Sequence, residues 1–207
     1  MHWLGGNPVD VPDHGWAVFS ASAEARVAID RQQDADWRAF LTARGAELRK
    51  GGRVVCQFMG RGPETHGFEW MAGAFWDSWV EMGRDGLVSD AELLRMTCPS
   101  AGRSEAQIRA PFVDGAFAGL MIEHLAIIDS PDPYWDQYQQ SGDAEALGRS
   151  WATMMRAANG PNFATGLRPD RDQDMLFDEL TRRLAARIAA APQRSQAHIV
   201  LLSLLRE

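Results

Sequence analysis

Gly51-Gly52-Arg53-Val54-Val55-Cys56-Gln57-Phe58-Met59-Gly60-Arg61 is the stretch whose reading decides the fold. A glycine pair closes what comes before it. A short run rich in β-branched and apolar residues follows, and Gly60-Arg61-Gly62-Pro63 ends it. Such a run, entered from a helix-period segment, predicts a strand over 53–59 buried on both faces of an α/β sheet. In open α/β sheets the ligand crevice lies beyond the carboxyl ends of the strands. Met59 and Gly60 stand at that end, so a candidate site is expected above them.

Upstream, Ser22 is a candidate N-cap for a helix from about Ala23 to Arg49, with Val27, Trp37, Phe40, Leu41 and Leu48 on one broad face. Before it, residues 1–20 offer turn signals (Gly5-Gly6-Asn7-Pro8 and Pro12-Asp13-His14-Gly15) and no strand or helix of useful length. Downstream, 68–82 is helical and apolar around most of its circumference, the pattern of an element buried on several sides or facing a ligand. Short helices are expected at 90–96, behind Ser89, and from Ser104 to Arg109. A strand is expected at about 118–128, a loop over 132–142, a helix from Ala144 to Ala158 stopped by Asn159-Gly160-Pro161, and a loop from Gly160 to Arg171. Asp172 and Asp174 suit the start of a helix whose Leu176, Leu180, Leu184 and Ile188 repeat every fourth residue until Pro192. The last strand is 197–205, a closing strand that suits a slot beside the central one. The order predicts the second half of a doubly wound sheet with helical insertions above it, at 63–100 and 136–169.

With 207 residues this is one domain, or one domain with an insertion, with room for a sizeable core. A formal charge of -7, with no Lys/Arg cluster, argues against a nucleic-acid surface. No apolar run approaches the ~20 residues of a membrane span, and no signal peptide is visible, so a cytoplasmic protein with no membrane partner is expected. Cys56 and Cys98 lack metal spacing and read as buried free thiols in a reducing compartment. The histidines at 2, 14, 66, 124 and 198 are scattered, so no metal site is expected; His124 and His198, in predicted strands, read as core residues. There is no phosphate-cradling Gly-rich loop between strand and helix, and no Gly-x-Ser-x-Gly elbow. Most of the eight tryptophans read as core, Trp76 among them.

The segments nevertheless resemble one family. His2-Trp3-Leu4 looks like the Leu-His-Trp-Leu loop of the SABATH methyltransferases. Asp36-Trp37-Arg38-Ala39-Phe40-Leu41-Thr42-Ala43-Arg44 with Glu47-Leu48 is similar to their D-x-x-x-F-L-x-x-R-x-x-E-L/I helix. Gly51-Gly52-Arg53-Val54-Val55 followed by Met59-Gly60-Arg61 resembles P-G-G-R-M-V…L-G-R, with Lys50 in place of Pro. Asp85-Gly86-Leu87-Val88 looks like E-G-L-I, and Met155-Arg156-Ala157 with Pro161 looks like M-R-A-V-A-E-P. The resemblance covers nearly the whole chain and implies the C-terminal portion of a Rossmann-like methyltransferase sheet, its last strand antiparallel between the other two, with an α-helical cap, 63–100 and 136–169 being the cap segments. It implies S-adenosylmethionine as cofactor and a small-molecule carboxylic acid as methyl acceptor. In the family the His-Trp loop follows the fourth strand, and the cofactor residues precede it. A chain without that N-terminal half, which by itself neither binds the cofactor nor turns over, is therefore expected. An uncovered sheet edge would then favour a homodimer or aggregation.

Carried over position by position, the resemblance implies His2, Trp3, Met59, Trp70 and Met155 as acceptor-binding residues. The Trp3 indole N–H would hold the acceptor carboxylate, and His2 would add a second donor. Trp70 would line the pocket from the first cap helix, with a longer spacing to Gly86 than in plant members; Ala197 stands where the family has a pocket aromatic. No catalytic base is required, because a carboxylate is ionised at pH 7 and needs only alignment at about 3–3.5 Å and exclusion of water. The alternative is a non-catalytic small-molecule binding module that has lost the cofactor half. A third reading is an unrelated α/β protein whose tryptophan-rich helices are only core.

Overall fold

The structure, a computed structural model, describes Leu4, Val9, Val11 and residues 13–207. Its regular elements are α1 (Ala23–Glu47), β1 (Arg53–Met59), α2 (Glu69–Arg84), α3 (Asp90–Arg95), α4 (Glu105–Arg109), β2 (Leu120–Asp129), α5 (Pro133–Ser141), α6 (Ala144–Ala164), α7 (Gln173–Ala190) and β3 (His198–Arg206). The three strands form one sheet in the order β1-β3-β2, antiparallel throughout, with the last strand of the chain in the middle. That is the arrangement expected from the sequence.

One face of the sheet is covered. Phe58 of β1, Leu120 of β2 and Val200, Leu202 and Leu204 of β3 bury against Trp37 and Leu41 of α1 and Ile108 of α4. The period-2 alternation along β3 places its apolar set on this face. The expectation that β1 is buried on both faces fails: Val55 is 80% exposed and alternate residues of the strand face outward. On that outer face the Arg53 guanidinium reaches Glu123 of β2 across β3, where Ser203 adds a hydroxyl at 2.9 Å. A bulge between Ile122 and His124 leaves Glu123 unpaired in the ladder. The bulge switches parity, so Leu120 and Ile122 before it and Leu125 and Ile127 after it all join the covered face. His124 is left exposed, contrary to its reading as a core residue.

α1 begins at Ser22, whose hydroxyl accepts the Ala25 N–H. It buries Ala25, Ile29, Gln33, Trp37 and Leu41, a strict four-residue series. Val27 is off that line and exposed, a correction to the broad face read from the sequence. The Gln33 amide is satisfied by the Ala101 and Gly102 carbonyls, and the Trp37 indole by the Ile108 carbonyl. The Gln33 bonds hold the 98–104 segment on α1, and the Arg103 N–H to the Met59 carbonyl and the Arg61 N–H to the Arg103 carbonyl fasten it at the end of β1.

The remaining helices build a second core. Met71, Phe75, Trp76, Trp79 and Met82 of α2 meet Met155 and Phe163 of α6 and Leu176, Leu180, Leu184 and Ile188 of α7. One expected loop is helical, and another begins later than expected. Residues 133–141 form α5 because Asp132 caps it through the Trp135 N–H and Pro133 fills a first-turn position where no N–H is needed. α6 runs through Pro161 to Ala164 rather than stopping at Asn159. Phe163, fully buried against Trp16, Phe75, Trp76 and Trp79, holds that last turn in place despite the proline.

Candidate acceptor site

The aromatic centre of the helical core is made by chain segments far apart in sequence. Trp16 lies 5.2 Å from Phe163 and 5.8 Å from Phe75, ring centre to ring centre. Phe75 meets Phe163 edge-on at 4.9 Å, and Trp79 stacks on Phe163 at 6.3 Å. Gly15 allows the closeness: a Cβ there would stand 2.6 Å from the Phe163 ring. Trp76 donates its indole N–H to the Asp13 carbonyl at 3.1 Å and packs as expected. The Asp13 carboxylate in turn accepts the Ser20 hydroxyl and the Ala21 N–H, and these bonds hold its pKa below the ordinary value despite partial burial. His14, held between Trp76 and Phe19, has a pKa lowered by burial.

Met155 is buried in this core, and Asn159, one turn on, donates to its carbonyl at 3.3 Å. The buried Cys98 thiol lies 3.5 Å from the Asn159 side-chain oxygen and has its pKa pushed up to about 11 by burial, so it is a thiol and not a nucleophile. The Trp151 indole N–H is buried with no hydrogen-bond partner, beside Tyr134 at 5.2 Å. Trp79 carries a second unpartnered buried N–H. Leu4 is buried in the same core and its N–H donates to the Pro99 carbonyl at 2.7 Å.

Of the five residues singled out by sequence, His2 and Trp3 lie outside the described residues. Met155 and Trp70 belong to the same helical core, Trp70 half-buried at its edge and facing a cleft formed with Gln193–Gln196. Met59 is half-buried at the end of β1, with its carbonyl accepting the Arg103 N–H at 3.3 Å. The sequence reading missed Trp16 and Phe163, which share the core that buries Met155, and took Asn159, one turn beyond Met155 on α6, only for a helix stop. It also took His198 for a core residue. His198 is half-buried at the start of β3, with Nε2 3.2 Å from the Thr65 hydroxyl.

The family model for SAM-dependent carboxyl methyltransferases matches residues 11–207. The chain belongs to that family. It is 28% identical over 202 residues to indole-3-acetate O-methyltransferase 1 of Oryza sativa subsp. japonica, covering 89% of this chain and 48% of that protein. Salicylate carboxymethyltransferase of Clarkia breweri is 24% identical over 174 residues, covering 78% and 46%. The chain thus spans about half the length of the curated relatives it matches. A solved structure described as loganic acid methyltransferase with SAH superposes with a TM-score of 0.70 at 17% identity, over all of this chain and 59% of that one. It shows the shared fold.

S-adenosylmethionine, the family's cofactor, needs a glycine cradle at a strand end and a free carboxylate for the ribose diol. Among the described residues that set is not assembled. A Cβ on Gly60 would meet Val200 at 2.9 Å and Ile127 at 3.3 Å, so its bare backbone makes room for the protein's own side chains. Asp129, at the end of β2, is paired with Arg194 at 2.7 Å, and Glu105 with Arg109 at 2.7 Å. The described residues do not fit the cofactor. Among them there is no group of side chains suited to a metal ion and no helix long and apolar enough to cross a membrane.

Proposed function

We propose that this chain supplies the acceptor-binding and cap side of an S-adenosylmethionine-dependent methyltransferase acting on the carboxyl group of a small acid. The helical segments 63–100 and 136–169 are the cap, and His2, Trp3, Met59, Trp70 and Met155 are the acceptor-binding residues. The observation that carries the reading is the anchoring of Leu4 in the aromatic core that holds Met155. It ties the chain next to Trp3 to the α2–α6 helices. An aromatic and thioether enclosure of this kind excludes water and grips a small apolar body. Its few polar groups then decide which way the acid points.

In this reading the chain's work is binding. The acceptor carboxylate is already ionised at pH 7 and needs no base. The Trp3 indole N–H fixes one oxygen, Met155 and Trp70 confine the body of the acid, and the other oxygen is left free to react. The 207-residue chain by itself binds the acid, does not bind S-adenosylmethionine and does not turn over. Aromatic acids of the size of indole-3-acetate and salicylate, named for the relatives, are the first to try.

The test follows the Met155 methyl resonance by NMR while these acids are titrated. A saturable shift is expected. Trp3→Phe keeps the ring and removes the donor; losing a hydrogen bond to a charged group is worth about 1.5–3 kcal/mol, or roughly 10–150-fold in affinity. Trp76→Phe, a packing residue bonded to Asp13, should leave the affinity unchanged. A silent Met155, or an affinity indifferent to Trp3→Phe, would defeat the proposal.

A further inference from the structure

A second cleft opens where β1 and β2 end and β3 begins. Its volume is about 760 Å³, within the range of small-molecule sites. Pro63, Ala106 and Ile127 give it an apolar lining. Four ionisable groups stand on its rim: Arg61, Glu105, Asp129 and His198. The two acids are already engaged, Glu105 by Arg109 and Asp129 by Arg194. Arg61 is different. Among the described residues its guanidinium has no carboxylate or carbonyl partner, although its backbone N–H is fixed to the Arg103 carbonyl at 2.9 Å.

The loop that carries Arg61 is clasped onto His198. A Cβ on Gly62 would lie 2.9 Å from the imidazole Nε2, and one on Gly67 2.7 Å from Cδ2. Gly67 also has a φ of +90°, which only glycine adopts without strain. Thr65 completes the clasp through its hydroxyl. The base of Arg61 is therefore held in place while its charged end is left without a counter-ion over an apolar floor. A planar fork of donors beside an apolar surface matches a carboxylate attached to a hydrocarbon body. A multiply charged anion is disfavoured by the nearby Glu105 and Asp129 carboxylates and by the chain's net charge of -7.

We propose that this cleft binds a small organic monocarboxylate, with Arg61 taking the carboxylate and Pro63, Ala106 and Ile127 the apolar body. The inference does not rest on the acceptor reading, since neither Met155 nor Trp70 lines this cleft.

The test titrates the chain with phenylacetate, with phenylacetamide as the neutral match, and with inorganic phosphate. The Ile127 and Met155 methyl resonances are followed together. Phenylacetate is expected to shift Ile127 saturably, with phenylacetamide at least tenfold weaker and phosphate without a saturable response. Arg61→Gln should weaken phenylacetate at least tenfold while the melting temperature stays put, because the side chain has no partner to lose. Arg61→Lys, which keeps the charge without the fork, should retain part of the affinity. An unchanged affinity in Arg61→Gln, a silent Ile127, or phosphate binding as tight as phenylacetate would each overturn the inference. A response at Met155 with Ile127 silent sinks this cleft and leaves the acceptor pocket standing; the reverse pattern does the opposite.

Discussion

Glu92 gives the most direct handle on how the helical core is held. Its side chain has no exposed surface, and five donors converge on its two oxygens. Arg171 contributes two, at 2.9 and 2.6 Å. Ser89 contributes its N–H at 2.9 Å and its hydroxyl at 2.8 Å, and Arg168 its N–H at 3.1 Å. The carboxylate thereby staples α3 to the 165–172 turn between α6 and α7. Glu92→Gln keeps the shape but puts an NH2 where donors already point. Bonds to a charged acceptor are worth about 1.5–3 kcal/mol, but Arg171 and the half-exposed Arg168 are rehydrated when the charge goes, so about 2–3 kcal/mol in all is expected. In a chain of this size that lowers the melting temperature by roughly 4–12 °C at pH 7. The sign with pH is fixed. The Arg171 hydrogen bonds hold the Glu92 pKa far below its ordinary 4.5, so the contribution is present above pH 4.5 and is lost as pH falls below it. The gap between wild type and Glu92→Gln should narrow from pH 6 to pH 4 and below. Melts by circular dichroism at each pH decide it: a shift under about 2 °C at pH 7, or a gap that widens on acidification, refutes the staple.

Phe163→Ala removes the ring on which Trp16, Phe75, Trp76 and Trp79 converge, and should cost about 3–5 kcal/mol in denaturant unfolding followed by tryptophan fluorescence. Gly119→Ala forces a side chain onto a φ of +72° and into the Arg206 guanidinium; it should be destabilising by more than 1 kcal/mol, and a neutral result would show that the turn into β2 is not fixed. Val55 lies exposed on the outer face of β1, which pairs only with β3 among the described residues. Sedimentation should accordingly show self-association that Val55→Lys reduces.

Most of the architecture was legible because it rests on local signals. The Gly51-Gly52 and Gly60-Arg61 brackets mark β1, Ser22, Ser89 and Ser104 cap their helices, and the fourfold leucine series marks α7. The middle position of β3 came from the resemblance and not from periodicity. Where the reading failed, tertiary contacts outweighed local preference. Pro161 and Gly160 look like a helix stop until Phe163 is buried beyond them. The α5 segment was missed although Asp132-Pro133 is a helix-start pair. The bulge was also present in the spacing, since Leu120 and Ile122 alternate on one parity and Leu125 and Ile127 on the other. Burial on both faces of β1 was inferred from a bare apolar run, which does not tell one covered face from two. For the site, Met155 and Trp70 fell in one core as segments of the resembled pattern, whereas the place of Trp16, the Cys98–Asn159 contact and the Arg61–His198 cleft depend on pairings across the chain that no local window contains.

Calorimetric titration of the same 207-residue chain with indole-3-acetate or salicylate, and separately with S-adenosylmethionine, bears most directly on the proposed division of labour. A saturable heat with the acid, weakened by Trp3→Phe, and no measurable heat with S-adenosylmethionine is the expected result. Micromolar S-adenosylmethionine binding by this chain, or acid binding that Trp3→Phe leaves untouched, would contradict it.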